Sequence, residues 1–174
     1  MQPDQATFLL NFLLPQIWNE SKTTRKILEA VPVSQSDYRP DPNARTALDL
    51  AWHLARTDVW FLDGVANGEF APENDALPAN IKNSADVVRW YDQHLSASIE
   101  RVSQLKPEQL TKQVNFFGIF NQPAITYLSI MINHSVHHRG QLAVYIRPMG
   151  GRVPSIYGGS FDEPFQVPQE AARA

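Results

Sequence analysis

The sequence contains no cysteine. That excludes a disulfide framework, a thiolate metal ligand and a cysteine nucleophile, so any metal ion must be held by histidine or carboxylate. The absence agrees with a reducing compartment. A basic run is missing too: fifteen Lys and Arg stand against eighteen Asp and Glu, for a net charge of −3. Without clustered cations to follow a phosphate backbone, nucleic acid is not expected as a partner. No apolar run is long enough to cross a bilayer. The opening stretch MQPDQATFLLNFLLPQIWNE has neither a basic leader nor a small-residue cleavage site, so a soluble, cytoplasmic chain without membrane contact is expected. Convincing two-residue alternation is also absent, which argues against strands.

What is present is helical periodicity. A chain of 174 residues is the length of one domain, here 1–174, and can remove about 70% of its unfolded surface from water. Apolar residues recur every three or four positions in four long segments, separated by stretches rich in Pro, Gly and Asn. The first runs from Asp4 to Ala30, with Phe8, Phe12, Ile17, Ile27 and Leu28 available for an inner face and Pro15 expected to kink it. In the second, Thr46 caps the helix with Asp49 as a short stand-in for the Glu of a capping box, and the helix continues to about Val65. Ser84 is expected to cap the third, which ends before Pro107. NFFGIF reads as an apolar loop across the bundle end, and Pro123 as the first residue of a fourth helix ending near Arg147. The pattern predicts an all-α four-helix bundle with long inter-helix loops and an irregular C-terminal tail from Arg152.

Three of the five histidines fall within MINHSVHHRGQL, residues 131–142. Residues four apart on a helix lie one turn above each other, with Cβ atoms about 5–6 Å apart, so His134 and His138 can converge on one ion. His137 lies about 100° around the helix from His138 and does not share that convergence. The spacing matches the two histidines of the zincin motif, but Ser135 stands where that motif needs its Glu base, which disfavours a metalloprotease. A third ligand must come from another helix. His53, between apolar Trp52 and Leu54, is the better candidate; His94, beside Asp92, Gln93 and Ser96, is the competitor on a more polar surface. The plain alternative is that His53 is a hydrogen-bonded core residue and the pair on the fourth helix a coincidence of spacing. Arg139 and Gln141 read as surface or supporting residues, and Gly140 as a close helix contact or cavity wall.

The combination of LAWHLA, NHSVHHRGQL and VPSIYGGSFDE resembles the DinB-like (DinB/YfiT) family of small four-helix metalloproteins, over almost the whole chain. The resemblance implies that His53, His134 and His138 bind a divalent metal. Zinc or nickel is favoured, with iron and manganese also accepted by such a donor set. Relatives include enzymes that use low-molecular-weight thiols such as bacillithiol and mycothiol. The resemblance therefore implies a metal-dependent enzyme acting on a small molecule, with a thiol S-transferase as the favoured version and a hydrolase-like enzyme beside it. The rival is a non-enzymatic metal-binding bundle with a stability, stress-response or sensing role. No catalytic residue is assigned. A homodimer is expected, both from the resemblance and because Phe8, Phe12, Trp18, Trp60 and Phe61 are more large apolar groups than one four-helix core need hide.

Overall fold

In the computed structural model, which describes residues 1–165, four long helices form the scaffold. They are α1 (Pro3–Ala30), α2 (Ala47–Asn67), α3 (Ser84–Ser103) and α5 (Thr126–Ile146), with a five-residue α4 (Pro107–Thr111) and a hairpin of β1 (Gln113–Phe116) and β2 (Phe120–Pro123) before the last. The expected four-helix architecture is present. α2 is its centre, packed on α3 and α5, while α1 closes the bundle against α3, α4 and α5. The composition of α2 accounts for this place: Leu50, Ala51, Leu54, Ala55, Phe61, Leu62 and Val65 are all buried. Each large aliphatic side chain fully removed from water contributes about 1.5–3 kcal/mol.

The helix ends follow from local chemistry. The Thr46 hydroxyl accepts from Asp49 N at 3.0 Å and donates to the Asp49 carboxylate at 2.6 Å, so the pair works as a cap. α2 ends at Gly68, whose φ of 70° puts it in the left-handed region where a Cβ is costly. Gly64, one turn earlier, is needed for a different reason: a Cβ there would meet the Phe70 ring at 2.3 Å. At α3 the cap is Asn83, not Ser84; Asn83 Oδ1 accepts from Asp86 N at 3.2 Å. Ser84 Oγ instead donates to Val31 O at 2.7 Å, fastening the start of α3 to the end of α1.

Several other expectations are corrected. Phe8 and Phe12 are 70% and 65% exposed, and Ala6, Leu10 and Leu13 line the inner face of α1 in their place, together with the expected Ile17, Ile27 and Leu28; Pro15 lies inside the helix. Pro107 opens α4 rather than merely following α3. Pro123 ends β2, and α5 starts three residues later. NFFGIF is a hairpin, not a plain loop: Gln113 pairs with Pro123 and Phe116 with Phe120 across an antiparallel ladder. Its turn holds Phe117 and Gly118 at φ 52° and 76°, closed by Ile119 N to Phe116 O at 3.0 Å. Four-residue strands are too short for alternation to register. The hairpin is held by tertiary contacts: Val114 is buried, Tyr127 Oη donates to Val114 O at 2.6 Å, and Phe116 packs on Phe61, Phe70 and Tyr127. Among the described residues no helix is long and apolar enough to cross a membrane.

Candidate functional site

α2 and α5 face each other, and their packing brings His53 against His134 and His138. His53 Nε2 lies 3.1 Å from His134 Nε2 and 3.2 Å from His138 Nε2. The two histidines on α5 are there because a four-residue step repeats one helical face. His53 is buried; the other two are half-buried. The remaining two histidines are elsewhere. His94 is exposed on α3, stacked on Trp90 with its Nδ1 at 2.7 Å from Trp90 O. His137 is exposed and lies edge-on to the His138 ring.

The hydrogen bonds of the outer ring nitrogens decide what the inner ones can do. His53 Nδ1 is 3.1 Å from both Asp75 oxygens, and a carboxylate only accepts, so this nitrogen carries the proton. His138 Nδ1 donates to Gln141 Oε1 at 2.7 Å. In their neutral form both rings therefore present a bare lone pair at Nε2, and these two atoms face each other at 3.2 Å. His134 can donate from Nε2 to one of them, but the His53–His138 contact remains lone pair against lone pair. A cation at the common point removes that repulsion. Donors around a tetrahedral ion with bonds of about 2.0–2.1 Å sit about 3.3 Å apart, close to the spacing seen here. Among the described residues His134 Nδ1 is buried with no hydrogen-bond partner, so its tautomer, unlike those of His53 and His138, is not fixed from outside the cluster. The donor set thus fits a divalent ion.

Protonation is also set for ligation. Burial pushes the His134 pKa down to about 3, with His138 and His53 adding to the effect. Burial likewise lowers His138, partly opposed by its bond to Gln141. Neutral imidazole is the ligating form.

Around His53 stands a second polar group that the sequence does not announce. Glu73 and Asp75 come from the α2–α3 loop, and with His53 Nδ1 their oxygens form a further set close enough to meet one ion. Both carboxylates already have partners: Asp75 pairs with Arg45, and Glu73 with Arg56 and the Thr57 hydroxyl. The only sequence sign of them is an acidic, proline-flanked loop, PENDALP.

One turn further into the bundle, polar side chains of α2 and α5 do something different. Asp58 is buried and accepts from Ser135 Oγ and, at 2.8 Å, from Tyr91 Oη. Burial raises its pKa to about 6, against the lowering effect of those two bonds. Ser135, in the place of the zincin Glu, is thus a packing and hydrogen-bonding residue. Arg139 is only 1% exposed, which corrects its reading as a surface residue; its guanidinium bonds Glu20, Glu20 O at 2.8 Å and Tyr157 Oη. The tail motif therefore acts through Tyr157, which ties it to α1 and α5. Gly140 is exposed, and a Cβ at its position would meet nothing within 4 Å, so it forms neither a close helix contact nor a cavity wall.

Comparison with known proteins gives a consistent picture. The uncharacterized protein YjoA of Bacillus subtilis strain 168 is 22% identical over 142 residues, spanning 80% of this chain and 90% of its own. The uncharacterized YrdA of the same strain is 28% identical over 154 residues, spanning 83% and 85%. A crystal structure of a DinB-like protein from Bacillus cereus ATCC 10987 superposes with a TM-score of 0.71 at 28% identity, covering 83% of this chain and 95% of that one. The crystal structure of YjoA superposes with a TM-score of 0.66 at 20% identity, covering 79% and 92%, and shows a shared fold. The sequence pattern of the DinB family matches residues 5–170, nearly the full length, and the chain belongs to that family.

Proposed function

We propose that His53, His134 and His138 hold a divalent metal ion, zinc or nickel in preference to iron or manganese, and that the protein is a metal-dependent enzyme acting on a small molecule. The observation that carries this reading is the approach of His53 Nε2 to within 3.2 Å of His138 Nε2 while the Nδ1 of each ring is turned outward to an acceptor. Three neutral ligands leave the ion its full charge and an open position, the pattern of catalytic rather than closed structural sites. When bound, such an ion supplies Lewis acidity and lowers the pKa of a thiol or water that it meets. The favoured reaction is thiol S-transfer: the thiol loses its proton, its sulfur forms a bond to an electrophilic carbon, and the leaving group departs with the electron pair. Because the chain has no cysteine, the sulfur must come from a small-molecule thiol.

A metal-binding bundle without catalysis is the competing reading, supported by the way the three ligands join α2 to α5. Cobalt-substituted protein separates the two. Added small thiols should change the visible spectrum of the wild type and bind neither the metal-free protein nor a His138→Ala variant. Equal thiol binding with and without metal would remove the thiol reading. The exposed Phe8, Phe12 and Trp18 of α1 further support a homodimer, which light scattering would register as twice the chain mass of 19.7 kDa; a single-chain mass at high micromolar concentration would exclude it.

A further inference from the structure

We infer that Asp75 is the positioning residue for His53, and that the stretch from Ala71 to Asp75 is a strap that delivers it. The inference rests on the metal-site reading above and adds to it a residue outside the ligand set.

The loop after α2 turns back along the helix it has just left. Three bonds hold it there. Trp60 Nε1 donates to Ala71 O at 3.0 Å, Thr57 Oγ1 donates to Glu73 Oε1 at 3.0 Å, and His53 Nδ1 meets both Asp75 oxygens at 3.1 Å. Going down α2, the bonded positions are 60, 57 and 53, about one turn apart; going up the loop they are 71, 73 and 75, every second residue. The two repeats match in length: three or four helical residues rise about 4.5–6 Å, and two residues of extended chain span about 6.6 Å. Alternate residues of the strap therefore meet successive turns of the helix, and the third meeting falls on His53. Arg56 and Arg45 hold the strap from either side through Glu73 and Asp75. Asn74 Oδ1 accepts from Ala76 N at 3.2 Å and turns the chain just beyond.

The same three groups, His53, Glu73 and Asp75, could be imagined as a second ion site. Their partners argue otherwise. Each carboxylate faces an arginine, whose fixed positive charge already occupies the place of a cation, and Thr57 donates to Glu73. What remains for Asp75 is to hold the proton on His53 Nδ1, which turns the Nε2 lone pair toward His134 and His138 and raises its basicity. Glu73, whose nearest approach to His53 Nδ1 is 4.0 Å, anchors the strap without bonding the ring.

The test compares Asp75→Ala, Asp75→Asn and Glu73→Gln with wild type, using zinc affinity by competition with a chromophoric chelator and nitrogen-15 NMR of the imidazoles in metal-free protein. Far-UV circular dichroism checks that each variant folds. Asp75→Ala should weaken zinc binding about 10–100-fold, the usual effect of removing a ligand's outer partner. It should also abolish the Nδ1–H preference of His53. Asp75→Asn, whose carbonyl still accepts, should keep that tautomer and lose less affinity. Glu73→Gln should keep the tautomer and most of the affinity. An unchanged tautomer and affinity in Asp75→Ala would overturn the assignment, as would a Glu73→Gln loss equal to that of Asp75→Ala. Failure of wild type to bind zinc would instead remove the metal-site reading, and the metal-free tautomers would still decide the role of Asp75.

Discussion

Two polar clusters lie about one turn apart along α2 and α5 and serve opposite ends, the inner one completed by Tyr91 of α3, Glu20 of α1 and Tyr157 of the tail. Around Asp58 and Arg139, donors and acceptors close on one another: Ser135 and Tyr91 on the carboxylate, Glu20 and Tyr157 on the guanidinium, with Arg139 Nε alone lacking a partner among the described residues. Around His53, His134 and His138, donors point outward to Asp75 and Gln141, and acceptors are gathered inward with too few protons to share. A buried polar group that is satisfied rigidifies a bundle; acceptors crowded around a common point ask for something to be bound there. Polar composition does not distinguish the clusters, although the histidines of α5 are the less buried. The direction of their protons does.

The largest effect that would sharpen the contrast is on metal content. His53→Ala, His134→Ala and His138→Ala should each lose zinc by more than the 10–100-fold expected for an outer partner. His137→Ala and His94→Ala should retain it, measured by metal analysis after dialysis. Zinc loss from His137→Ala as complete as from His138→Ala would break the assignment. Next in size is stability. Arg139→Ala leaves the Glu20 carboxylate, whose side chain is 17% exposed, facing a buried gap, and should cost about 3–5 kcal/mol in denaturant unfolding of the metal-free protein. Metal stoichiometry of the folded fraction should stay at the wild-type value. A matching loss of metal would mean that the two clusters act as one.

The smallest effect is in pH dependence, where the clusters have opposite signs. His134 has a folded pKa of about 3 against 6.5 for the free group, so the unfolded chain takes up its proton first. Its contribution makes metal-free protein less stable as pH falls from 6.5 toward 3. Asp58 has a folded pKa of about 6 against 3.8, so the folded chain binds that proton first, and its contribution makes the protein more stable as pH falls from 6 to 3.8. The two offset each other between about pH 4 and 6. Asp58→Asn should remove one side of the balance and leave a steeper loss of stability on acidification over that range, read from unfolding midpoints in chelator. An unchanged slope would show that Asp58 does not titrate there.

Much of this molecule could be read along the chain, because the information was local. Four helices follow from spacing at three and four residues, the cap at Thr46 from a hydroxyl and a carboxylate three residues apart, and the pairing of His134 with His138 from the helical turn itself. His53 could be named as a candidate because a histidine between Trp52 and Leu54 on an apolar helix needs a partner. What spacing could not supply is which groups meet across the bundle. Gly140 and Arg139 sit one residue apart in the same motif, yet one lies open to solvent and the other is buried on Glu20, since only the rotation of α5 against α1 separates them. The hairpin at NFFGIF exists because Phe61, Phe70 and Tyr127 receive Phe116. Asp75 reaches His53 across 22 positions because a loop folds back along its own helix. Periodicity along one helix determined the histidine pair and the bundle; the aim of His53, its proton and its carboxylate are long-range meetings, and only tertiary packing decides those.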